Sequence, residues 1–257
     1  MTPLLKMVNV TKRFGGLTAV NNFSTELQAG ELCALIGPNG SGKTTIFNLI
    51  TGIYVPSEGH IYLGGDDISG KRPDVITGMG IARTFQNIRL FKGLNVLENV
   101  IVGKHLRLQS NVASAVMRLP GYDREEKEMR QTGMELLESL GLARFAYDEP
   151  TSLPYGQQRK LEIARALATN PRLLLLDEPA AGMSPSDAEE LMTFIQHVLK
   201  TFELTIFLIE HQMRVVMGIC PRIIVIDHGE WIAEGNPEQI QNNDRVIEAY
   251  LGASDHA

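Results

Sequence analysis

Two stretches of the chain alternate short apolar runs with segments of three-to-four-residue apolar spacing, and a third stretch between them shows the helical spacing alone. Met7–Val10, Ala19–Leu27, Glu31–Ile36 and His60–Leu63 read as strands, the last closed by Gly64-Gly65, so the amino-terminal lobe is rich in β structure. After Gly42 a helix carries Ile46, Leu49 and Ile50 on one face, and Gly52 stands where a left-handed C-terminal cap belongs. From about Asn87 to Ser152 the strand patterns vanish. Asp123 and Glu126 there have the spacing of a capping box ahead of Met129, Gly133, Leu136, Leu137 and Leu140, with Gly141 as the stop, which predicts a helical subdomain over residues 87–155. The alternation returns with the strand Leu173–Leu176, a helix bearing Leu191, Phe194, Ile195, Val198 and Phe202, and the strands Thr205–Ile209 and Ile223–Ile226. Short strands joined by helical crossovers imply a parallel sheet. No internal repeat is visible, so residues 1–257 are expected to form one α/β domain with an insert.

Composition narrows the class. With 44% hydrophobic residues over 257 positions, the chain can bury a proper core. Apolar runs such as Leu173–Leu176 and Ile223–Ile226 are only four residues long, against about 18 to 20 for a membrane-crossing helix. No spanning segment is expected. Met1–Lys12 alternates polar with apolar residues and has neither an apolar signal core nor a small-residue cleavage site, which predicts a cytoplasmic protein. Cys33 and Cys220 lie in apolar stretches and read as buried, reduced thiols. A net charge of −6 without a Lys/Arg cluster argues against a broad nucleic-acid surface. Any anion the protein binds must be held locally.

Gly37-Pro38-Asn39-Gly40-Ser41-Gly42-Lys43-Thr44-Thr45 is the place for one, because it follows an apolar strand and opens a helix. Glycines there let successive backbone N–H groups point at phosphate oxygens, and the helix N-terminus adds its positive dipole end. Lys43 would reach the β and γ phosphates of ATP, and Thr44 would offer a hydroxyl to Mg²⁺. A plain glycine-rich turn would not need Lys-Thr directly after the last glycine. The strand Leu173–Leu176 ends in Asp177-Glu178, two carboxylates at the edge where open α/β sheets bind ligands. Asp177 would hold Mg²⁺ directly or through water, and Glu178 would orient or deprotonate the attacking water. By themselves they could be an exposed acidic turn before Pro179; behind a phosphate loop they read as catalytic.

Ser152-Leu153-Pro154-Tyr155-Gly156-Gln157-Gln158 runs into the helical pattern Arg159–Leu167 just ahead of that acidic strand. The segment resembles the signature of ABC ATPases, and with the other motifs the resemblance covers essentially Leu4 to Gly252. It implies a P-loop NTPase (RecA-like) core with an N-terminal antiparallel β subdomain and an inserted helical subdomain. It also implies that Gly156 and Gln157 face the ATP bound by a second ATPase subunit, in a homo- or heterodimer. Phe14 matches the aromatic that stacks on adenine; a core residue is the alternative at that position. Gln86 matches the glutamine that touches Mg²⁺ or the water, and His211 matches the switch histidine that contacts the γ phosphate.

Two positions depart from the ABC pattern: Pro154 replaces the signature serine, leaving backbone donors and Ser152 nearby, and Ser184 replaces the D-loop aspartate. Ser184-Pro185 also suits an ordinary helix start. The wording around Gln86, Gly156 and Asp177 is similar to the ATPase subunits of branched-chain amino acid importers, as is the ending Val246–Gly252. Such a subunit works peripherally at the cytoplasmic face of the membrane, with separate permease chains and, indirectly, a periplasmic or extracellular binding protein. Related urea or amide importers, and ABC ATPases outside transport, are the alternatives. Against the latter, the interval from Gly42 to Leu153 is too short for a coiled-coil insert, and there is one cassette. A guanine-reading Asn-Lys-x-Asp motif is absent from the sequence, which disfavours a GTPase. In ABC transporters the permease docks just after the Gln86 position. Phe91, in a stretch that reads as a loop with Arg89 before it and Lys92 after it, is the expected anchor there, while Leu94 and Leu97 are expected in the subdomain core.

Overall fold

The computed structural model describes residues 2–104 and 120–252. Strands β1 (Leu5–Phe14), β2 (Leu17–Leu27), β4 (Glu58–Leu63) and the short β5 (Asp66–Asp67) form a four-stranded antiparallel sheet in the order β2-β1-β4-β5. The second sheet holds β3 (Leu32–Ile36), β6 (Ile81–Arg83), β7 (Leu173–Asp177), β8 (Thr205–Ile209), β9 (Arg222–Asp227) and β10 (Glu230–Gly235), in the order β10-β9-β3-β8-β7-β6. Its strands are parallel except β10, which returns antiparallel from β9. Every residue of β3, β7 and β8 is buried, which is why they read as unbroken apolar runs and not as alternation.

Both faces of this sheet are covered. Helix α1 (Lys43–Ile50) lies between the two sheets, where Phe47 meets Phe207 with ring centroids 5.4 Å apart and Ile46, Leu49 and Ile50 complete the first core. The opposite face packs against α5 (Tyr155–Leu167) and α6 (Pro185–Thr201), and that second core continues into α3 (Val96–Lys104) and α4 (Pro120–Ser139) of the helical region. The remaining α-helices are α2 (Pro73–Gly78), α7 (Met213–Ile219), α8 (Pro237–Gln241) and α9 (Asp244–Gly252). Among the described residues no helix is long and apolar enough to cross a membrane. Cys33 and Cys220 are free and buried, and burial pushes both thiols up, Cys220 to about 12.

The local reading of caps holds at Gly52, whose φ is 72° and whose N–H donates to Leu49 O. At Gly141, with φ 70°, bonds from Gly141 N–H to Glu138 O and from Leu142 N–H to Leu137 O close α4 as a Schellman turn. Asp123 and Glu126 do not mark a helix start. Helix α4 already includes Pro120, so Asp123 and Glu126 lie within it; Glu126 instead pairs with Arg130 one turn on, and the Asp123 side chain lies outside the described residues. Strands β6 and β10 escaped the pattern, β6 because three residues carry no period and β10 because it is an edge strand with an exposed Trp231.

Register aligns the strand ends. Leu35 pairs with Ile209, and Asp177 also pairs with Ile209, so the carboxyl ends of β3, β7 and β8 finish side by side. The phosphate loop, Glu178 and the Glu210-His211 segment therefore leave one edge of the sheet together.

Candidate functional site

The loop after β3 is shaped by close backbone contact. A Cβ on Gly37 would lie 2.0 Å from Ile226 O, and one on Gly42, at φ 105°, would lie 2.5 Å from Ala19 O. Neither position accepts another residue without moving the loop off β9 or β2. The loop is tied down by bonds from Ser41 N–H to Pro38 O (3.2 Å), from Gly229 N–H to Ser41 O (2.9 Å) and from Asn21 N–H to Gly229 O (2.8 Å). Gly42 caps α1, whose first N–H groups at Lys43, Thr44 and Thr45 have no partner within the helix. Asn39, Gly40 and Thr44 are exposed beside them. Lys43 is buried, and its ammonium donates to Gly37 O and Pro38 O, each at 2.8 Å. Burial lowers its pKa, and the charges of Glu178 and Asp177 oppose that shift. From the other side Tyr250 of α9 places its hydroxyl against the backbone of Gly37, and burial pushes its pKa to about 12.

Asp177 ends β7 with its side chain only 7% exposed, in an ion pair with Arg83 at 2.6 Å. The same guanidinium donates to Asn48 Oδ1 at 2.6 Å and lies over the rings of Phe47 and Phe85. Arg83 thus joins the Asp177 carboxylate to α1, a link the sequence did not reveal. The next residue, Glu178, has φ 47°, a left-handed conformation that costs a non-glycine residue about 1–2 kcal/mol. This turn brings Glu178 Oε2 to 2.8 Å from Gln86 Nε2 and 3.5 Å from His211 Nδ1. Three residues singled out from separate stretches of sequence meet at one carboxylate oxygen.

Gly156 and Gln157 open α5 elsewhere, and no hydrogen bond or ion pair among the described residues joins them to the phosphate loop. A Cβ on Gly156 would meet nothing within 4 Å and its φ is not left-handed, so nothing inside this chain requires glycine there. Arg159, one turn on, donates to Phe85 O at 3.0 Å and to Gln86 O, and is paired with Glu162 at 3.2 Å. The signature-like helix therefore grips the backbone that carries Gln86. Tyr155 Oη donates to Ala181 O at 3.1 Å, tying the same helix to the segment after Glu178. Pro154 is an N-cap without a side-chain bond, and Ser152 is committed within its own turn, donating to Glu149 O at 2.8 Å. Ser184 caps α6, accepting from Asp187 N–H at 3.2 Å, and Pro185 opens the helix. Phe14 is 40% exposed and stands edge-on to Tyr54 with centroids 5.0 Å apart and the Lys12 ammonium 5.0 Å from its ring. It is a surface aromatic and not a core residue.

The arrangement gathers exposed N–H groups, a lysine and a helix N-terminus, groups that suit a polyphosphate, with the Glu178 carboxylate at the same edge of the sheet. Among the described residues no cluster of three or more His, Cys, Asp or Glu could hold a metal alone. The Thr44 hydroxyl and Asp177 carboxylate are hard oxygen donors that suit Mg²⁺ brought in with phosphate oxygens and water.

Comparison with known proteins gives the same direction. A family model described as ABC transporter matches residues 20–181, and one described as branched-chain amino acid ATP-binding cassette transporter matches residues 232–256. Over 250 residues the chain is 44% identical to the high-affinity branched-chain amino acid transport ATP-binding protein BraF of Pseudomonas aeruginosa, covering 97% of this chain and 98% of that one. It is 45% identical to the corresponding protein LivG of Escherichia coli K12, with the same coverage. Among solved structures, the ADP conformation of MJ1267, an ATP-binding cassette of an ABC transporter, aligns with a TM-score of 0.86 at 32% identity, covering 98% of this chain and all 100% of that chain. The dimeric post-hydrolysis cassette MJ0796, bound to ADP and Pi, aligns with a TM-score of 0.74 at 29% identity, covering 91% and 98%.

Proposed function

Because the chain belongs to the ABC transporter family, we propose that it hydrolyses ATP to power uptake of branched-chain amino acids through separate permease chains at the cytoplasmic face of the membrane. The observation that carries the catalytic part is the convergence of Gln86 and His211 on Glu178, one residue beyond Asp177 at the sheet edge. The names of the BraF and LivG relatives, each matched along almost its whole length, support the cargo.

In this reading the Gly37–Thr45 loop and Lys43 hold the phosphates, and Phe14 stacks on adenine. Lys43 must turn its ammonium from Gly37 O and Pro38 O toward the β and γ oxygens, whose charges raise again the pKa that burial lowers. Thr44, Asp177 and Gln86 hold Mg²⁺, which when bound neutralises charge developing on the β and γ oxygens. Glu178 orients a water in line with the γ phosphorus and accepts its proton, and His211 donates to a γ oxygen. Gly156 and Gln157 supply N–H groups to the ATP of a second subunit, whose own signature completes this site; the open space around Gly156 supports that role. Hydrolysis then opens the dimer and resets the permease, which a binding protein loads from outside. The permease docks in a groove of about 590 Å³ lined by Ile53, Ile81, Phe85, Leu90, Phe91 and Arg165. Arg159, bonded to the backbone at Phe85 and Gln86, links that groove to the signature helix.

The test is co-expression with the permease chains and binding protein in cells that lack branched-chain amino acid uptake. Leucine, isoleucine and valine should enter in an ATP-dependent way. Glu178→Gln should abolish uptake and lower hydrolysis about a hundredfold to ten-thousandfold while ATP binding survives. Uptake of urea or short amides instead would refute the cargo, and hydrolysis within a few fold of wild type would refute the role of Glu178.

A further inference from the structure

Glu210 is a carboxylate with no exposed surface, placed directly before His211 at the end of β8. Charged groups at such depth need full hydrogen bonding, and its two oxygens find it in two different segments. Oε1 accepts from Ala180 N–H at 2.8 Å, and Oε2 accepts from His211 N–H at 3.2 Å. Two residues on, the Gln212 side-chain amide donates to Ala180 O at 3.0 Å. Ala180 is therefore held at both its N–H and its C=O by the segment that carries His211.

What this holds in place is the turn that aims Glu178. With φ 47°, Glu178 sits in a conformation that persists only where its surroundings over-determine it. Its own N–H donates to Ile209 O at 2.9 Å, and its carbonyl accepts from Ala181 N–H at 3.1 Å. Those bonds fix the turn at its start and at its close, and Glu210 fixes the peptide between. A small hydroxyl or apolar residue at 210 would not bridge the two segments.

We propose that Glu210 is a positioning residue for hydrolysis: by bonding Ala180 and His211 together, it sets the spacing at which Glu178 and His211 face the γ phosphate. It touches neither ATP nor water, and acts through its two neighbours. The inference rests on the proposal that Glu178 and His211 work in hydrolysis.

Glu210→Gln keeps the shape but turns an amide NH₂ toward either the Ala180 N–H or the N–H groups of His211 and Gln212, so one side of the bridge is lost. A displacement near 1 Å at the chemistry is worth about a hundredfold, so kcat should fall by roughly ten- to a hundredfold. KM for ATP should stay within about twofold, because the phosphate loop is untouched. Glu210→Asp keeps the charge but is one methylene too short to reach both partners, and should lie lower than wild type with the same unchanged KM. In the His211→Ala background, Glu210→Gln should add little further loss, since residues acting as a unit are not additive. Wild-type kcat in a folded Glu210→Gln protein, or losses that multiply fully with His211→Ala, would overturn the proposal. If Glu210→Gln fails to fold, Glu210→Asp carries the test, and a folded Glu210→Asp enzyme with wild-type kcat overturns the proposal equally. An active Glu178→Gln enzyme would instead tell against the catalytic reading, so the two failures are distinguishable.

Discussion

Arg83→Leu removes the guanidinium from Asp177 and leaves a carboxylate with a side-chain exposure of 7% facing an apolar group. The Arg83 side chain is itself only 6% exposed and sits 2.6 Å from its partner, so water cannot replace it without opening β6 from β7. Breaking one side of a buried pair costs about 3–5 kcal/mol, mostly the penalty of the stranded charge. Asn48 Oδ1 loses its 2.6 Å donor as well, which adds about 1 kcal/mol at most, because leucine still fills the space between Phe47 and Phe85. In a domain of this size the sum corresponds to a fall in Tm of roughly 6–24 °C. The measurement is urea unfolding of the nucleotide-free protein, with Asp177→Asn and the double variant completing a cycle. Asp177→Asn alone should cost less, since an amide oxygen still accepts from Arg83, and the double variant should be more stable than the sum of the singles predicts. A loss under about 1 kcal/mol for Arg83→Leu, or strict additivity in the cycle, would refute the claim that this pair holds the site together.

Two further outcomes test the surfaces. In the Glu178→Gln background, light scattering should show a monomer without nucleotide and a dimer with ATP and Mg²⁺; Gly156→Asp, which sets a negative charge beside the partner's γ phosphate, should abolish the dimer. The same mass with and without ATP would count against shared sites. Phe91→Ala removes a ring that is 49% exposed and flanked by the Arg165 guanidinium, so the isolated subunit should keep its hydrolysis and its Tm within a few degrees. Co-purification with the permease and transport should both weaken, and a collapse of isolated activity together with stability would make Phe91 a packing residue.

Much of the fold is legible in the chain because its signals are short-range. Strand Leu32–Ile36, a glycine loop and a helix with Ile46, Leu49 and Ile50 on one face are each defined by residues within a few positions of one another. The caps at Gly52 and Gly141 read correctly for the same reason: a left-handed residue closing a helix is a local event. The same locality misleads at Asp123 and Glu126, where the spacing of a capping box occurs inside a continuing helix. In the helical region, Val96 and Leu97 are buried, Leu94 is half-buried and Phe91 is exposed, a split that apolar character alone does not reveal.

The candidate site residues divide along the same line. The loop Gly37–Thr45, the pair Asp177-Glu178 and the segment Pro154–Gln157 were visible as motifs, because each is a contiguous run with its own chemistry. That Gln86 lies 2.8 Å from Glu178, 92 positions away, and Arg83 2.6 Å from Asp177, 94 positions away, depends on β6 pairing with β7. Strand order is chosen by how the whole sheet buries its two faces, and no local pattern encodes it. Glu210 and Arg159 carried no motif at all; each looks like an ordinary charge beside a motif until burial removes water and leaves distant backbone groups as its partners. The chain by itself determined which groups were available for phosphate chemistry, and the tertiary structure decided which of them meet, because desolvation and sheet order are properties of the folded whole.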